Sequence, residues 1–385
     1  MGKTILVTGA TGVLGSQLVE QILLGEPDAK LILLIRARSE VDAAQRFYHL
    51  LRTFRSEIGW KEGNPRVRVV RGDISKENLG LSESTWEELA SQITHIIHSA
   101  ANVNFQLPLD IARTVNLSGT NNILRLARAA FRQGNLQRLG YVGTAYVSGD
   151  REGIIYEHEL EAGQSFSNTY EQSKFEAERL VRQWMADLPI TVFRPSIIVG
   201  DSQTGFTRCF NVLYGPMRLI HHELISALPG TGETTIDIVP VDFVSRALIY
   251  VLLESGEGIG ETVHLAAGKE NVMTVREITD MIVSYFSEHC GGRVIPPIRF
   301  VPRDLYCQYM RSSGYNSART TEAVRLFEPY LCVDRVYDTT VASSILSSTG
   351  IQVPHFRTYS SVIFEYCLKT GWGKRIREAA SRLLG

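Results

Sequence analysis

Thr8-Gly9-Ala10-Thr11-Gly12-Val13-Leu14-Gly15 is the stretch that decides the fold. Before it runs a short apolar, β-branched segment, Thr4-Ile5-Leu6-Val7. After it, Ser16 to Leu24 carries apolar residues at helical spacing. A glycine pattern between a strand and a helix has a physical purpose that an isolated one lacks. Gly9 permits a tight turn. Gly12 removes a side chain where a pyrophosphate must approach the backbone. Gly15 lets the helix pack close to the strand. The helix N-terminus then offers N–H groups and a partial positive charge to phosphate. Thr11, Val13 and Leu14 complete a candidate dinucleotide loop with the three glycines.

Outward from that loop, strand and helix patterns alternate. Lys30–Ile35, Val67–Val70, Ile93–His98, Arg138–Val142 and Ile190–Arg194 read as further strands. Ala43–Ile58, Val115–Phe131 and Tyr170–Met185 read as helices between them. The strands are continuously apolar, not alternating, which fits a parallel sheet covered on both faces. The expected fold class is therefore α/β: a Rossmann, doubly wound parallel sheet with a smaller, partly helical C-terminal region. The expected division gives residues 1–200 to the nucleotide-binding domain, with 235–270 returning to it. Residues 201–234 and 271–385 form the substrate-binding or cap region.

The end of the second strand addresses the choice of nucleotide. Sites for NAD place an Asp or Glu there to hold the ribose 2′-hydroxyl. Here the chain reads Ile35-Arg36-Ala37-Arg38, and the first acid is Glu40. Guanidinium groups suit a 2′-phosphate, so NADPH is the expected cofactor. Asp73, with Ile74 behind it, follows the third strand and is placed to accept from an adenine amino group. The competing reading of Asp73 is a turn former. Ser99-Ala100-Ala101 after the fourth strand leaves room for a cofactor to cross. Asn116 reads as a packing or backbone-bridging residue.

Tyr170 and Lys174 are four residues apart on a predicted helix and share a face. An ammonium beside a phenol favours phenolate, so the pair is expected to exchange a proton with a carbonyl oxygen near neutral pH. Thr144 lies where the fifth strand runs out, which is where ligands meet an open α/β sheet. Its hydroxyl is a candidate donor to an oxyanion.

Composition narrows the rest. The 385 residues carry a formal net charge of -1, which argues against bulk nucleic-acid binding. The five cysteines, Cys209, Cys290, Cys307, Cys332 and Cys367, are scattered and form no CxxC pair. They read as reduced thiols in a cytoplasmic protein, and no metal site is expected. No apolar run is long enough to span a bilayer. The stretch Lys374–Leu384 alternates Arg with apolar residues. It reads as a surface helix, with contact to a membrane or an acyl chain as the second reading. Oligomeric state is left open.

TGATGVLG, Gly72-Asp73, Gly143–Gly149 (GTAYVSG), Tyr170-x-x-x-Lys174 and Arg194-Pro195-Ser196 resemble the extended short-chain dehydrogenase/reductase family. Leu34–Ala37, His98–Val103, Thr144–Val147, Arg194–Ser202 and Asp237–Asp242 are similar to its thioester-reductase branch, which includes fatty acyl-CoA reductases. The resemblance covers about residues 3–270. The tail is only loosely similar to fatty acyl reductases, through Pro329-Tyr330 and Tyr366–Trp372.

The resemblance implies that NADPH reduces an acyl thioester, bound to CoA or to an acyl carrier protein, to the aldehyde, which a second hydride could take to the alcohol. It implies Thr144, Tyr170 and Lys174 as catalytic residues, with Lys174 also on the nicotinamide ribose. It implies Pro195 and Ser196 as cofactor contacts. The alternatives are an NADP-dependent dehydrogenase or epimerase for a ketone, sterol or sugar nucleotide, and a non-catalytic cofactor sensor. Retention of all three side chains argues against the sensor. Asp242 reads as a helix N-cap.

Overall fold

The computed structural model describes residues 2–51, 54, 64–210, 212–312 and 318–374. Seven parallel strands form the central sheet: β1 (Thr4–Thr8), β2 (Lys30–Ile35), β3 (Val67–Arg71), β4 (His95–His98), β5 (Arg138–Val142), β6 (Ile190–Pro195) and β7 (Thr262–Leu265). Their spatial order is β7-β6-β5-β4-β1-β2-β3. The order reverses between β1 and β4, which creates a crevice above the carboxyl ends of those two strands. Register fixes that edge. Thr8 lies beside Leu34 of β2 and beside His98 of β4. Tyr141 pairs with His98, and Val142 with Phe193.

Helices cover both faces. On one lie α1 (Val13–Gly25), α2 (Glu40–Leu51) and α6 (Val241–Ile249). On the other lie α3 (Glu83–Gln92), α4 (Gly119–Arg132) and α5 (Thr169–Trp184). The strands bury Ile5, Val7, Leu31 and Leu33 towards the first face, and Leu6, Ile32, Ile96 and Leu139 towards the second. This two-sided burial is why their sequences are apolar throughout. The predicted helix Ala43–Ile58 is seen as Glu40–Leu51; residues 55–58 lie outside the described residues. The predicted Val115–Phe131 helix is two segments, a wide π turn at Thr114–Ser118 that runs into α4.

A further apolar core lies beyond the sheet. Residues of 197–236 join α7 (Val275–His289), α8 (Ala318–Cys332) and α9 (Ser360–Thr370) around Met217, Ile282, Phe286, Phe356 and Phe364. The tail does not all belong to this core. Ala342, Ile345 and Leu346 pack with α1 and α6 under the sheet. The strand Arg335–Tyr337 pairs in parallel with Gly153–Ile155. Lys374–Leu384 lies outside the described residues except for Lys374. Among the described residues, no helix is long and apolar enough to cross a membrane, and no group of His, Cys, Asp and Glu is placed to hold a metal.

Candidate active site

The glycine loop has the geometry its spacing predicts. Gly9 adopts φ +74°, and a Cβ there would lie 2.8 Å from the backbone nitrogen of Ala100. A Cβ on Gly15 would collide with the carbonyl of Gly9. The N–H of Gly12 donates to Gly9 O at 2.9 Å, and Gly12 forms the N-cap of α1 with no side chain covering the helix end. Thr8 pins the turn from below. Its hydroxyl meets His98 Nδ1 at 2.8 Å and accepts from the N–H of Ala100 at 3.2 Å. His98 Nε2 in turn meets the Thr120 hydroxyl at 3.1 Å. Burial, reinforced by Lys174, holds His98 down to about 3, so the imidazole is neutral.

Arg36 and Arg38 follow β2 and are exposed. The backbone N–H of Arg38 donates to Asp42, and Arg46 reaches the carbonyl of Arg36 at 2.7 Å. The two arginines thus follow the carboxyl end of β2, the strand next to β1. Asp73 shows the turn-forming behaviour: its Oδ1 accepts from the Ser75 N–H at 3.0 Å and the Ser75 hydroxyl at 2.7 Å. Ile74 is buried, and its carbonyl accepts from Asn122 at 2.8 Å. Ser99, Ala100 and Ala101 run past the end of β4, half-buried against Gly9. Pro195 ends β6, and Ser196 follows it, buried.

Thr144 caps the short helical turn Ala145–Ser148 by accepting from the Tyr146 N–H at 3.3 Å. Thr144 is also near enough to Tyr170 to pull the phenol's pKa down. Lys174 is buried, donates to the carbonyl of Val142 at 2.8 Å, and lies 4.3 Å above the Tyr141 ring. The structure thus brings Thr144, Tyr170 and Lys174 together at the end of β5. Asn116, in the π turn, bridges the loop after β4 to α5. It accepts from the Asn102 N–H at 2.8 Å, and donates to Asn102 O at 3.0 Å and to the Ser173 hydroxyl at 2.9 Å. A π turn swings a side chain out of ordinary helical phase, and such turns concentrate at functional sites.

The expected acidification of Tyr170 needs correction. Burial pushes its phenol up to about 12, against the downward pull of Thr144. Burial also pulls Lys174 down to about 7, opposed by Glu178. The partners of the ammonium are the Val142 carbonyl and the Tyr141 ring, and burial of the phenol outweighs any pull from it. Tyr170 is a protonated donor throughout the neutral range.

Beneath the site lies a network that the motifs did not reveal. Glu178 accepts from Arg194 Nη2 at 2.6 Å and Nε at 3.0 Å, and from Arg182 at 3.1 Å. Arg194 also donates to Glu159 O at 2.7 Å and to His264 Nε2 at 3.2 Å. Both Arg194 and Glu178 are fully buried. Asp242 sits in the first turn of α6, whose N-cap is Pro240, so it is not the N-cap expected of it. It accepts from the Ser202 N–H at 2.9 Å and hydroxyl at 2.8 Å, which ties down the loop after β6.

A family model described as Male sterility protein, an NAD-binding family, matches residues 7–248. The chain belongs to that family. Among its relatives, a nonribosomal peptide synthetase of Aspergillus flavus, asaC, is 31% identical over 299 residues, covering 74% of this chain and 27% of the synthetase. Fatty acyl-CoA reductase 1 of Arabidopsis thaliana is 27% identical over 382 residues, covering 82% of this chain and 77% of the plant protein. This member of the male sterility family therefore spans about a quarter of one relative and most of the other. Among solved structures, the terminal R domain from the myxalamid PKS-NRPS biosynthetic pathway superposes with a TM-score of 0.80. It is 30% identical, with 96% of this chain and 92% of that one covered.

Proposed function

We propose that the chain is an NADPH-dependent reductase of acyl thioesters, presented on CoA or on an acyl carrier protein. The observation that carries this reading is the meeting of Thr144, Tyr170 and Lys174 at the carboxyl edge of β5, across the crevice from the glycine turn. The names of the relatives support it: one is a fatty acyl-CoA reductase, another a peptide synthetase, and the structural neighbour is an R domain.

The residues present fit a dinucleotide. Side chains at Gly9 and Gly15 would collide with backbone, and the N-cap of α1 at Gly12 carries no side-chain cap hydrogen bond. Gly9, Thr11, Gly12, Val13, Leu14 and Gly15 would hold the pyrophosphate, and Arg36 and Arg38 the 2′-phosphate. Asp73, Ile74, Ser99, Ala100, Ala101, Pro195 and Ser196 would line the remaining path, with Tyr170 and Lys174 at its end. When bound, NADPH supplies the hydride.

The protein's own groups do the rest. The Tyr170 hydroxyl, held protonated, gives its proton to the oxygen that becomes an alkoxide. Thr144 donates to the same oxygen and orients the phenol. Lys174 is held by Val142 O close to its charge-changing point and stabilises the phenolate left behind. Collapse of the resulting hemithioacetal releases the thiol and an aldehyde, and the same groups would serve reduction of that aldehyde to the alcohol.

The test is a panel of acyl-CoAs, acyl carrier proteins and free ketones, with NADPH consumption and released thiol measured together. Thiol release in step with NADPH loss is the expected result. Turnover of ketones with no thiol from any thioester sinks the reading in favour of a ketone or sugar-nucleotide dehydrogenase.

A further inference from the structure

Tyr170 is the second residue of α5, so its position depends on the first turn of that helix. Asn168 caps the turn, its Oδ1 accepting from the Glu171 N–H at 3.0 Å. The Glu171 side chain turns back into the protein and is buried. Its Oε2 accepts from the Ser167 N–H at 3.0 Å, and its Oε1 from Asn168 Nδ2 at 3.2 Å. The remaining donor comes from far along the chain. Tyr330, in the last turn of α8, donates to Glu171 Oε1 at 2.6 Å and accepts from Asn168 Nδ2 at 2.9 Å. The three side chains close a ring of hydrogen bonds around the turn that carries Tyr170.

Aromatic contacts brace the same point. The Tyr330 ring stacks on Phe105 with centroids 5.9 Å apart and meets Tyr146 edge-on at 4.9 Å. Phe105 packs in turn against the Tyr170 ring at 5.8 Å. Tyr146 is two residues beyond Thr144, so the contacts run from the Thr144 turn to the Tyr170 ring. A buried carboxylate is tolerated only when its lone pairs are engaged. Removing the Tyr330 hydroxyl leaves Glu171 Oε1 with the Asn168 amide alone, and the ring opens.

We propose that Tyr330 is a positioning residue: through Glu171 and Asn168, it lets helix α8 of the C-terminal region set the placement of the Tyr170 phenol. This rests on the reading of Tyr170 as the proton donor. It assigns the tail a part in the chemistry as well as in enclosing substrate. Tyr330 acts through Glu171 and the ring of Phe105.

The experiment is Tyr330→Phe in the full chain, which keeps the ring and deletes the hydroxyl. Native-state hydrogen exchange at the amides of Glu171 and Gln172 is read first and does not depend on activity. Exchange at least about tenfold faster there, with β1 and α1 unchanged, is expected. In turnover with NADPH and an acyl-CoA, kcat should fall about ten- to a hundredfold, with KM and the NADPH Kd within about twofold of wild type.

Unchanged exchange, or a changed KM with unchanged kcat, overturns the proposal. If wild type reduces no thioester, the proposed function fails, but the exchange measurement still decides whether α8 holds the turn. Should Tyr330→Phe fail to fold, Glu171→Gln is measured in the same two ways.

Discussion

Lys174 Nζ donates to the carbonyl oxygen of Val142, the last residue of β5, at 2.8 Å. That bond fixes the ammonium between the sheet edge and α5, and burial there lowers it to about 7. The free protein therefore holds a lysine whose charge changes within the physiological range. Lys174→Met is expected to lower kcat/KM about 10²–10⁴-fold, the range for losing a group engaged in proton transfer. Tyr170→Phe should lose a similar factor. The pH profile separates them: loss of activity with an apparent pKa near 7 as pH rises follows Lys174, whereas Tyr170, at about 12, remains protonated over that whole span. Steady-state rates at pH 6–9 check this.

Acid should unfold the protein for a reason distinct from its carboxylates. His95 is held down to about 4, and His98 and His264 to about 3, each chiefly by burial. In the unfolded chain these groups titrate near 6.5. The unfolded state thus binds more protons below 6.5, and stability falls with pH from there down to about 3. At pH 5, each such imidazole costs about 2 kcal/mol relative to pH 8. Glu157 opposes this. Burial raises it to about 7 despite N–H donors from His264, Val341 and Ala342, and it gains a proton on folding between 4.5 and 7. Three imidazoles outweigh one carboxyl, so thermal midpoints should drop between pH 7 and pH 5. A flat profile contradicts the neutral burial of the histidines.

Arg36 and Arg38 stand exposed after β2, the strand next to β1. Charge-assisted hydrogen bonds to phosphate contribute about 1.5–3 kcal/mol each. Arg36→Ala and Arg38→Ala should together weaken NADPH binding at least about tenfold and leave NADH almost untouched, with Kd measured by titration for both. Equal losses for the two nucleotides would remove the 2′-phosphate assignment.

Breaking the buried Glu178–Arg194 pair should be costly, because Arg194 alone is an uncompensated interior charge and Glu178 alone keeps only the partly exposed Arg182. Arg194→Met is expected to destabilise the fold by about 3–5 kcal/mol. Glu178→Gln with Arg194→Met should recover part of that loss, since no lone charge remains. Denaturant midpoints for the three variants measure it.

Much of this was legible in the sequence. Apolar runs marked the inner strands, because a sheet covered on both faces demands continuous hydrophobicity; the edge strand Val67–Arg71 was found despite its exposed Arg68. The glycines at 9, 12 and 15 announced their loop because backbone contact leaves no other residue that fits. Tyr170, Lys174 and Thr144 were found through motif and strand end, yet the direction of the Tyr170 shift was not. Proximity in sequence says nothing about the carbonyl that captures the ammonium.

The tail was the least legible part. Its links to the rest are single residues and three-residue strands, such as Arg335–Tyr337 on Gly153–Ile155. Segments that short carry no periodicity. Nor does any local pattern join Tyr330 to Glu171, or Ser202 to Asp242.

The parallel pairing of Arg335–Tyr337 with Gly153–Ile155 has a consequence for building chimaeras from this family. Arg335 is buried and donates to the Gly149 carbonyl, on the segment that follows Thr144. A tail borrowed from a relative would have to match residues 143–157 as well as its own core. The tail is therefore not exchangeable at a single junction: the donor's 143–157 segment has to travel with its C-terminal third.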